Sequence, residues 1–149
     1  MKPTESLILH DRVRAHTAPH VNERIDKLTR ASVRELQGAS AAAIVARIAE
    51  LDREWDVDRV LMANFALLGG VTLQLGLRRR RGWLNVFQAQ MGFLLMHAVI
   101  GWCPPLPLFR RLGFRTSKEI GAEKAALLML LAERGEPLPG DLAGAEEAG

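Results

Sequence analysis

Apolar residues follow two different patterns along this chain. In roughly the first 58 residues they recur every three or four positions among charged residues, which is the spacing of one face of an amphipathic helix. The clearest face has spacings of four, three and four: Ile44, Ile48, Leu51 and Trp55. A sparser stripe runs through residues 21–37. These patterns predict a pair of amphipathic helices in the N-terminal part of the chain.

Two long uncharged intervals dominate the middle of the chain. Residues 60–77 form an interval of 18 residues, and residues 83–103 form one of 21. At about 1.5 Å of helical rise per residue they would be about 27 and 31 Å long, close to the roughly 30 Å of a bilayer's hydrocarbon core. Four arginines and a glycine at 78–82 separate them. The pattern predicts a two-span transmembrane helical hairpin with a tight basic turn.

The distribution of charge favours this interpretation over a nucleic-acid-binding surface. The whole chain carries a net charge of +3, but residues 60–118 contain eight Lys or Arg and no acidic residue. An acid-free basic stretch suits either nucleic acid or membrane segments with basic flanks. The basic residues cluster outside the apolar intervals instead of recurring along a helix. We therefore predict a lipid bilayer as partner and no nucleic acid.

A soluble helical bundle is the main structural alternative. Mean hydropathy of the whole chain is only +0.03. Several polar residues also fall within the predicted spans, and each costs free energy if it faces lipid. These residues are Asn64, Gln74, Asn85, Gln88, Gln90 and His97. Against this alternative, the core helices of a soluble bundle need a polar face, and residues 60–77 are apolar nearly all round.

The same patterns divide an all-α chain into five parts. These are a flexible polar arm (1–18), an amphipathic helical module (19–58), the membrane hairpin (59–118), a C-terminal helix (119–135) and a disordered acidic tail (136–149). A Thr-Ser-Lys-Glu sequence just before the C-terminal helix has the form of a capping box. The amphipathic helices could lie on the membrane surface or pack on each other. Their balanced charge favours packing.

Seven residues around the predicted spans carry a resemblance to a known family. An Asp-Arg pair leads into the first span, Gly-Trp-Cys-Pro closes the second, and Leu-Gly follows. The residues are Asp58, Arg59, Gly101, Cys103, Pro104, Leu112 and Gly113. Over about residues 56–118 the chain resembles the inner membrane protein YgaP-like transmembrane domain family. The resemblance implies a two-helix hairpin in a bacterial inner membrane, of unassigned function and sometimes fused to a sulfur-transferring rhodanese domain.

Cys103 is the only cysteine, so it cannot form a disulfide within the chain. Reactive thiolates favour helix N-termini or nearby cations, whereas Cys103 follows the predicted C-terminus of a helix. We expect it to pack as a small apolar residue. The alternative, suggested by fused members of the family, is a membrane-bound thiol protein that accepts or relays sulfane sulfur through Cys103.

Histidines provide weak candidates for a metal site. His16 and His20 are four residues apart, a spacing that places two imidazoles on one helical face. Pro19 lies between them and no nearby residue completes an H-E-x-x-H motif. A labile surface site that also uses His10 is the alternative to solvated histidines. We therefore predict no metal site and no cofactor.

Polar and small residues are predicted to hold the hairpin together. Gln90 and His97 are seven residues apart and share a helical face. We expect them to hydrogen-bond across the interface, with Asn64 or Gln74 of the first span as partners. The alternative is a ligand or proton site, because ionisable residues within a span are candidates for function.

Ala66 and Gly70 form a small-xxx-small pair that permits close helix approach. This pair fits a hairpin, a homodimer or an assembly with another membrane protein.

No sequence pattern indicates catalysis. A Ser-His-Asp set, a phosphate-binding loop and a dinucleotide fingerprint are all absent from the sequence. The predicted function is a non-enzymatic membrane anchor or assembly module. Seven basic residues flank the outer ends of the spans and four lie in the turn, so both termini are predicted to be cytoplasmic.

Overall fold

The computed structural model describes residues 11–139, and within that range the regular elements are all helices. The helices are α1 (Arg12–Ala15), α2 (Pro19–Leu36), α3 (Ala41–Arg53), α4 (Val57–Arg78), α5 (Gly82–Ile100), α6 (Leu106–Leu112) and α7 (Ser117–Glu133). The all-α prediction is confirmed. The first ten residues of the predicted arm and the last ten of the predicted tail lie outside the described residues.

The helices belong to two compact units. Unit 1 contains α2 from Glu23 onward, α3, and α7 from Lys118 onward. Unit 2 contains residues 11–22 and 55–117, and so includes α1, α4, α5 and α6. This grouping differs from the predicted division in chain order, because the C-terminal helix belongs with the amphipathic module.

Unit 1 buries most of the apolar face that the sequence pattern indicates, but Trp55, its predicted last member, follows α3, belongs to unit 2 and is 52% exposed. Its core consists of side chains from α3 and α7: Ile44, Ile48, Leu51, Leu127 and Leu131. The α3 helix starts at a side-chain cap, because Ser40 accepts a hydrogen bond from the backbone N–H of Ala43. The buried Glu123 carboxylate of α7 accepts hydrogen bonds from Ser32 (2.8 Å) and Arg47 (3.1 Å).

Unit 2 is built around the antiparallel pair α4 and α5. Asp56 caps α4 by accepting a hydrogen bond from the Arg59 backbone N–H at 2.8 Å. The α5 helix ends at Ile100 because Gly101 adopts the left-handed conformation, with φ of 78°. Cys103 therefore lies beyond the helix, and the second span is shorter than the predicted interval 83–103. Both α5 and the chain around α4 are long and apolar enough to cross a membrane.

Residues 11–18 were predicted to be part of a flexible arm, and the structure shows an ordered segment instead. Asp11 caps α1 by accepting hydrogen bonds from the backbone N–H groups of Val13 (2.9 Å) and Arg14 (3.2 Å). Its second carboxylate oxygen accepts a 2.6 Å hydrogen bond from Thr116. Val13 is buried in the core of unit 2, which makes this segment part of the fold.

Candidate membrane-spanning hairpin

The α4–α5 hairpin exposes many large apolar side chains. Only 6% of the apolar window in Gly82–Ile100 is buried, and 28% of the window within Ala41–Arg78. The exposed large apolar side chains are Met62, Leu67, Leu68, Val71 and Leu77 of α4, and Trp83, Val86, Phe93, Leu95, Val99 and Ile100 of α5. The core helix of a soluble bundle would be mostly buried, and soluble monomers rarely expose an apolar surface of this extent.

Close approach of α4 and α5 depends on Gly69 and Gly76. A Cβ on Gly69 would lie 3.4 Å from Met91, and a Cβ on Gly76 would lie 2.6 Å from the Leu84 side chain. The predicted pair, Ala66 and Gly70, is exposed, and a Cβ on Gly70 would meet nothing within 4 Å. The predicted pair therefore does not form the contact between α4 and α5, and its role in an assembly with another chain stays a prediction. The small residues that contact α5 are Gly69 and Gly76.

Spacing along α4 could have identified the correct face. Its buried side chains recur at intervals of four and three residues: Val57, Leu61, Phe65, Gly69, Thr72 and Gly76. This is the spacing of a helix–helix seam. The signal is masked in the sequence because the opposite face of α4 is equally apolar.

A hydrogen bond joins α4 and α5 near their middle. The Thr72 hydroxyl lies 2.8 Å from Gln90 Oε1, 2.9 Å from the Leu68 carbonyl and 3.1 Å from the Gly69 carbonyl. One hydroxyl proton serves one acceptor well, and rotation of the Gln90 amide would let its NH2 group donate to Thr72 instead. Gln90 therefore bonds across the interface as predicted, but its partner is Thr72 rather than Asn64 or Gln74.

A second polar contact joins the helices at the end opposite the turn. His97 Nε2 lies 2.9 Å from Asp58 Oδ1, and the histidine is 8% exposed. His97 Nδ1 is the one buried side-chain N or O atom among residues 11–139 without a hydrogen-bond partner. If His97 is neutral with its proton on Nε2, Nδ1 is an unused acceptor, which costs less than a buried unpaired donor. The partner again differs from Asn64 or Gln74.

Arg12 closes the C-terminus of α5. Its Nη1 donates to the carbonyls of Val99 (2.7 Å) and Ala98 (3.2 Å), which are among the last carbonyls of the helix. A Cβ on Gly101 would lie 2.6 Å from Arg12 Cβ and 2.9 Å from its carbonyl carbon. Both the left-handed backbone and the lack of a side chain are therefore required at Gly101. Sequence reasoning missed Arg12, because 86 residues separate it from its acceptor.

The residues that carry the family resemblance lie at helix ends. Asp58 lies in the first turn of α4, Gly101 ends α5, and the Arg59 guanidinium lies 5.4 Å above the Trp55 ring. Pro104 lies in the turn that precedes α6, and Gly113 ends α6 with a left-handed φ of 99°. Leu112 is exposed. Most of these residues therefore begin or end helices in unit 2.

Cys103 is fully buried in the core of unit 2. Burial raises the pKa of its thiol, and the Asp58 carboxylate acts in the same direction, while a backbone hydrogen bond involving Leu106 opposes them. A raised pKa keeps the sulfur as a neutral thiol at neutral pH, whereas a nucleophilic cysteine needs its thiolate. The geometry is that of a small apolar residue in a core.

Arg110 is buried, although its place in a basic cluster beside a predicted span suggests a headgroup contact. Its guanidinium donates to Thr17 Oγ1 (3.2 Å), Asn22 Oδ1 (2.9 Å) and the Phe114 carbonyl (3.0 Å). These bonds tie α6 to residues 11–22, so Arg110 stabilises the fold of unit 2.

The weak metal candidates do not form a ligand set with other residues. His16 caps the end of α1, with its Nδ1 2.8 Å from the Arg12 carbonyl, while His20 lies in α2. Both side chains are exposed. Within residues 11–139 no group of three His, Cys, Asp or Glu could hold a metal ion.

Comparison with known proteins found no relative. No protein-family model matches the chain, and neither a curated protein nor a solved structure matches it. The geometry of the hairpin is therefore the basis for any statement about function.

Proposed function

We propose that this chain is a small integral membrane protein in which α4 and α5 form a two-span anchor. The observation that carries the proposal is the exposed apolar surface of the hairpin, above all the 6% burial of the window in α5. The polar groups between the helices support it, because Thr72 bonds to Gln90 and His97 to Asp58. Lipid-exposed apolar side chains around internal polar contacts are the arrangement that a bilayer favours.

The size of the apolar surface supports insertion. Complete burial of one large apolar side chain is worth about 1.5–3 kcal/mol. The eleven exposed side chains of α4 and α5 are partly covered already, so about 1 kcal/mol each gives a gain of order 10 kcal/mol. Three exposed amides oppose it: Gln74, Asn85 and Gln88. All three lie within seven residues of the arginine turn, about 10 Å along the helix, where amides come close to headgroups.

The proposed role is a non-enzymatic anchor or assembly module. The buried, protonated state favoured for Cys103 argues against sulfur relay, because a persulfide acceptor needs an accessible thiolate. The resemblance to the YgaP-like transmembrane family belongs to the same proposal, and so does location in a bacterial inner membrane. Unit 1, with its apolar core and charged exterior, is suited to an aqueous compartment.

We further propose that both termini lie in the cytoplasm. More basic residues flank the outer ends of the hairpin than lie in its turn, and the positive-inside rule favours the more basic side as cytoplasmic. In spheroplasts, protease added outside should leave a C-terminal epitope tag intact. Loss of the tag without lysis would reverse the orientation.

Membrane fractionation followed by a carbonate wash tests the anchor. The full chain should remain in the pellet, because α4 and α5 are surrounded by lipid. Leu67 and Leu95 are exposed near the middle of α4 and toward the end of α5, and arginine near the centre of a span costs about 2.5–3.5 kcal/mol. The double variant Leu67→Arg/Leu95→Arg should therefore leave the membrane or be degraded.

Leu28→Arg provides the matched control. Leu28 is also exposed and apolar, but it lies in unit 1, so its replacement should leave the carbonate-resistant fraction unchanged. Recovery of the unaltered chain as a soluble monomer in detergent-free buffer would contradict the proposal and favour the soluble helical bundle.

A further inference from the structure

Four consecutive arginines form the turn between α4 and α5. We call Arg78, Arg79, Arg80 and Arg81 the arginine turn. All four side chains are exposed. Within residues 11–139 none of the four guanidinium groups has a hydrogen bond, an ion pair or a ring contact.

The other arginines of unit 2 all have partners within the protein. Arg12 bonds to carbonyls of α5, Arg59 contacts the Trp55 ring, and Arg110 bonds to Thr17. The rest also make interactions: Arg14, Arg111 and Arg115. Unit 2 therefore uses its other arginines internally and leaves a group of four cations at one end.

The fold of the turn does not need the four guanidinium groups. Its backbone is held by hydrogen bonds from the N–H groups of Arg79 and Arg80 to the Leu75 carbonyl, and from that of Trp83 to the Arg80 carbonyl. No acidic residue occurs between Asp58 and Glu119, so the sequence around the turn supplies no carboxylate to balance its charge. Four like charges on adjacent residues repel one another, and an anion that lies among them offsets this repulsion.

The surroundings of the arginine turn indicate which anion. Exposed Leu77 precedes it and exposed Trp83 follows it, so the charges lie at the end of an apolar pair of helices. Insertion of these helices into hydrocarbon places the turn at the depth of the headgroups, where tryptophan is also favoured. Phosphodiesters are the anions present at that depth, and guanidinium groups bind phosphate oxygens in a bidentate manner.

We propose that the arginine turn is a binding site for the headgroups of anionic phospholipids. This inference rests on the proposed membrane insertion of the hairpin and adds to it a preference for lipid of one charge. Each basic residue near an anionic surface contributes roughly a fivefold gain in binding. The gains of four neighbouring charges do not multiply in full, because the charges are screened by the same ions. We therefore expect a preference of at least about tenfold for anionic over zwitterionic lipid.

Native mass spectrometry of the full chain can test this preference. The protein is solubilised with an equimolar mixture of phosphatidylglycerol and phosphatidylcholine, and the two retained lipids are counted. The unaltered chain should retain phosphatidylglycerol at least about tenfold more often. The variant Arg78→Gln/Arg79→Gln/Arg80→Gln/Arg81→Gln should retain the two lipids nearly equally.

A control variant separates the site from the effect of net charge. Lys27→Gln/Arg30→Gln/Arg34→Gln/Arg53→Gln removes four exposed cations from unit 1 and should keep the preference. Equal preference in the unaltered chain and the turn variant would overturn the proposal, as would equal losses in the two variants. Release of phosphatidylglycerol by millimolar inorganic phosphate would also overturn it, because it would indicate a free-phosphate site.

The carbonate wash keeps this test distinct from that of the anchor. A turn variant that stays carbonate-resistant and helical by circular dichroism, yet loses the lipid preference, supports the proposal. A chain that is not membrane-embedded at all contradicts the proposed function, whereas an embedded chain without lipid preference contradicts only the arginine-turn site.

Discussion

Unit 1 and the α4–α5 hairpin place polar and apolar groups in opposite positions. Unit 1 buries Ile48 and Leu127 and carries the Lys124–Asp52 ion pair on its outside. The hairpin exposes Leu67 and Leu95 and places its hydrogen bonds between the helices. The first arrangement is the stable one in water, and the second would be the stable one in lipid, because apolar surface is driven out of water but is tolerated by lipid.

This contrast teaches that one chain can be apolar for two different reasons. Helices α3 and α5 are both rich in aliphatic residues. In α3 charged residues lie between them, whereas α5 contains no Asp, Glu, Lys or Arg. The first pattern encodes a direction for burial, whereas the second encodes only a preference for an apolar medium. Substitutions of the same kind should therefore have different effects in the two regions.

The largest difference is expected for truncation of a leucine. Leu127→Ala should destabilise unit 1 by about 2–5 kcal/mol, because Leu127 is fully buried and its loss leaves a cavity. Leu67→Ala should cost the hairpin far less, since Leu67 is 70% exposed and lipid can fill the space. Hydrogen exchange of the detergent-solubilised full chain, read separately for α7 and α4, measures both. Equal losses of protection would mean that Leu67 packs like a core residue.

The sequence predicted the parts of each region that depend on local pattern. The uncharged runs indicated both candidate spans, because charge content is a local property of the sequence. Three of the four residues predicted for the apolar face of α3 are buried, since the charged residues of the helix leave one face for burial, but Trp55 lies beyond the end of α3 and is 52% exposed.

The sequence could not predict the partners across the hairpin. Residues of α4 are apolar on both faces, so the rotation that buries Gly69 and exposes Gly70 is not encoded in any one residue. Without that rotation, Thr72 could not be identified as the partner of Gln90. Burial of Arg110 was equally hidden, because it depends on Thr17 and Asn22, about 90 residues earlier in the chain.

A glycine pair on α4 tests the rotation of the hairpin directly. Gly76→Ala should destabilise the α4–α5 contact by about 1–3 kcal/mol, because its Cβ would lie 2.6 Å from the Leu84 side chain and 3.1 Å from its backbone nitrogen. Gly70→Ala should leave stability unchanged or raise it by up to about 1 kcal/mol, since its Cβ meets nothing within 4 Å. Unfolding by SDS in micelles, followed by circular dichroism, compares them. The opposite order would mean that Gly70, and not Gly76, lies at the contact between α4 and α5.

A smaller effect is expected for the His97–Asp58 contact. Asp58 keeps 38% of its side chain exposed, so solvent weakens the pair and a coupling energy of about 1 kcal/mol is expected. The double-mutant cycle uses His97→Ala and Asp58→Ala in the same SDS unfolding experiment. Asp56→Ala is the control, because Asp56 caps the same helix. The changes that Asp56→Ala and His97→Ala cause in the free energy of unfolding should be additive. Additive effects of His97→Ala and Asp58→Ala would mean that the two side chains do not interact.

The smallest effect concerns Cys103 and appears only in alkaline solution. Burial raises the pKa of the thiol above its ordinary value of 9.0, so the unfolded chain loses this proton first as the pH rises. The contribution of Cys103 to stability is therefore fully present below about pH 9 and is lost as the pH rises through the folded-state pKa. Iodoacetamide labelling across a pH series should reach its midpoint at a higher pH in the native full chain than in the SDS-unfolded chain, with Cys103→Ala as the unlabelled control. A native midpoint below that of the unfolded chain would identify an activated thiol. It would favour sulfur relay through Cys103 over its packing as a small apolar residue.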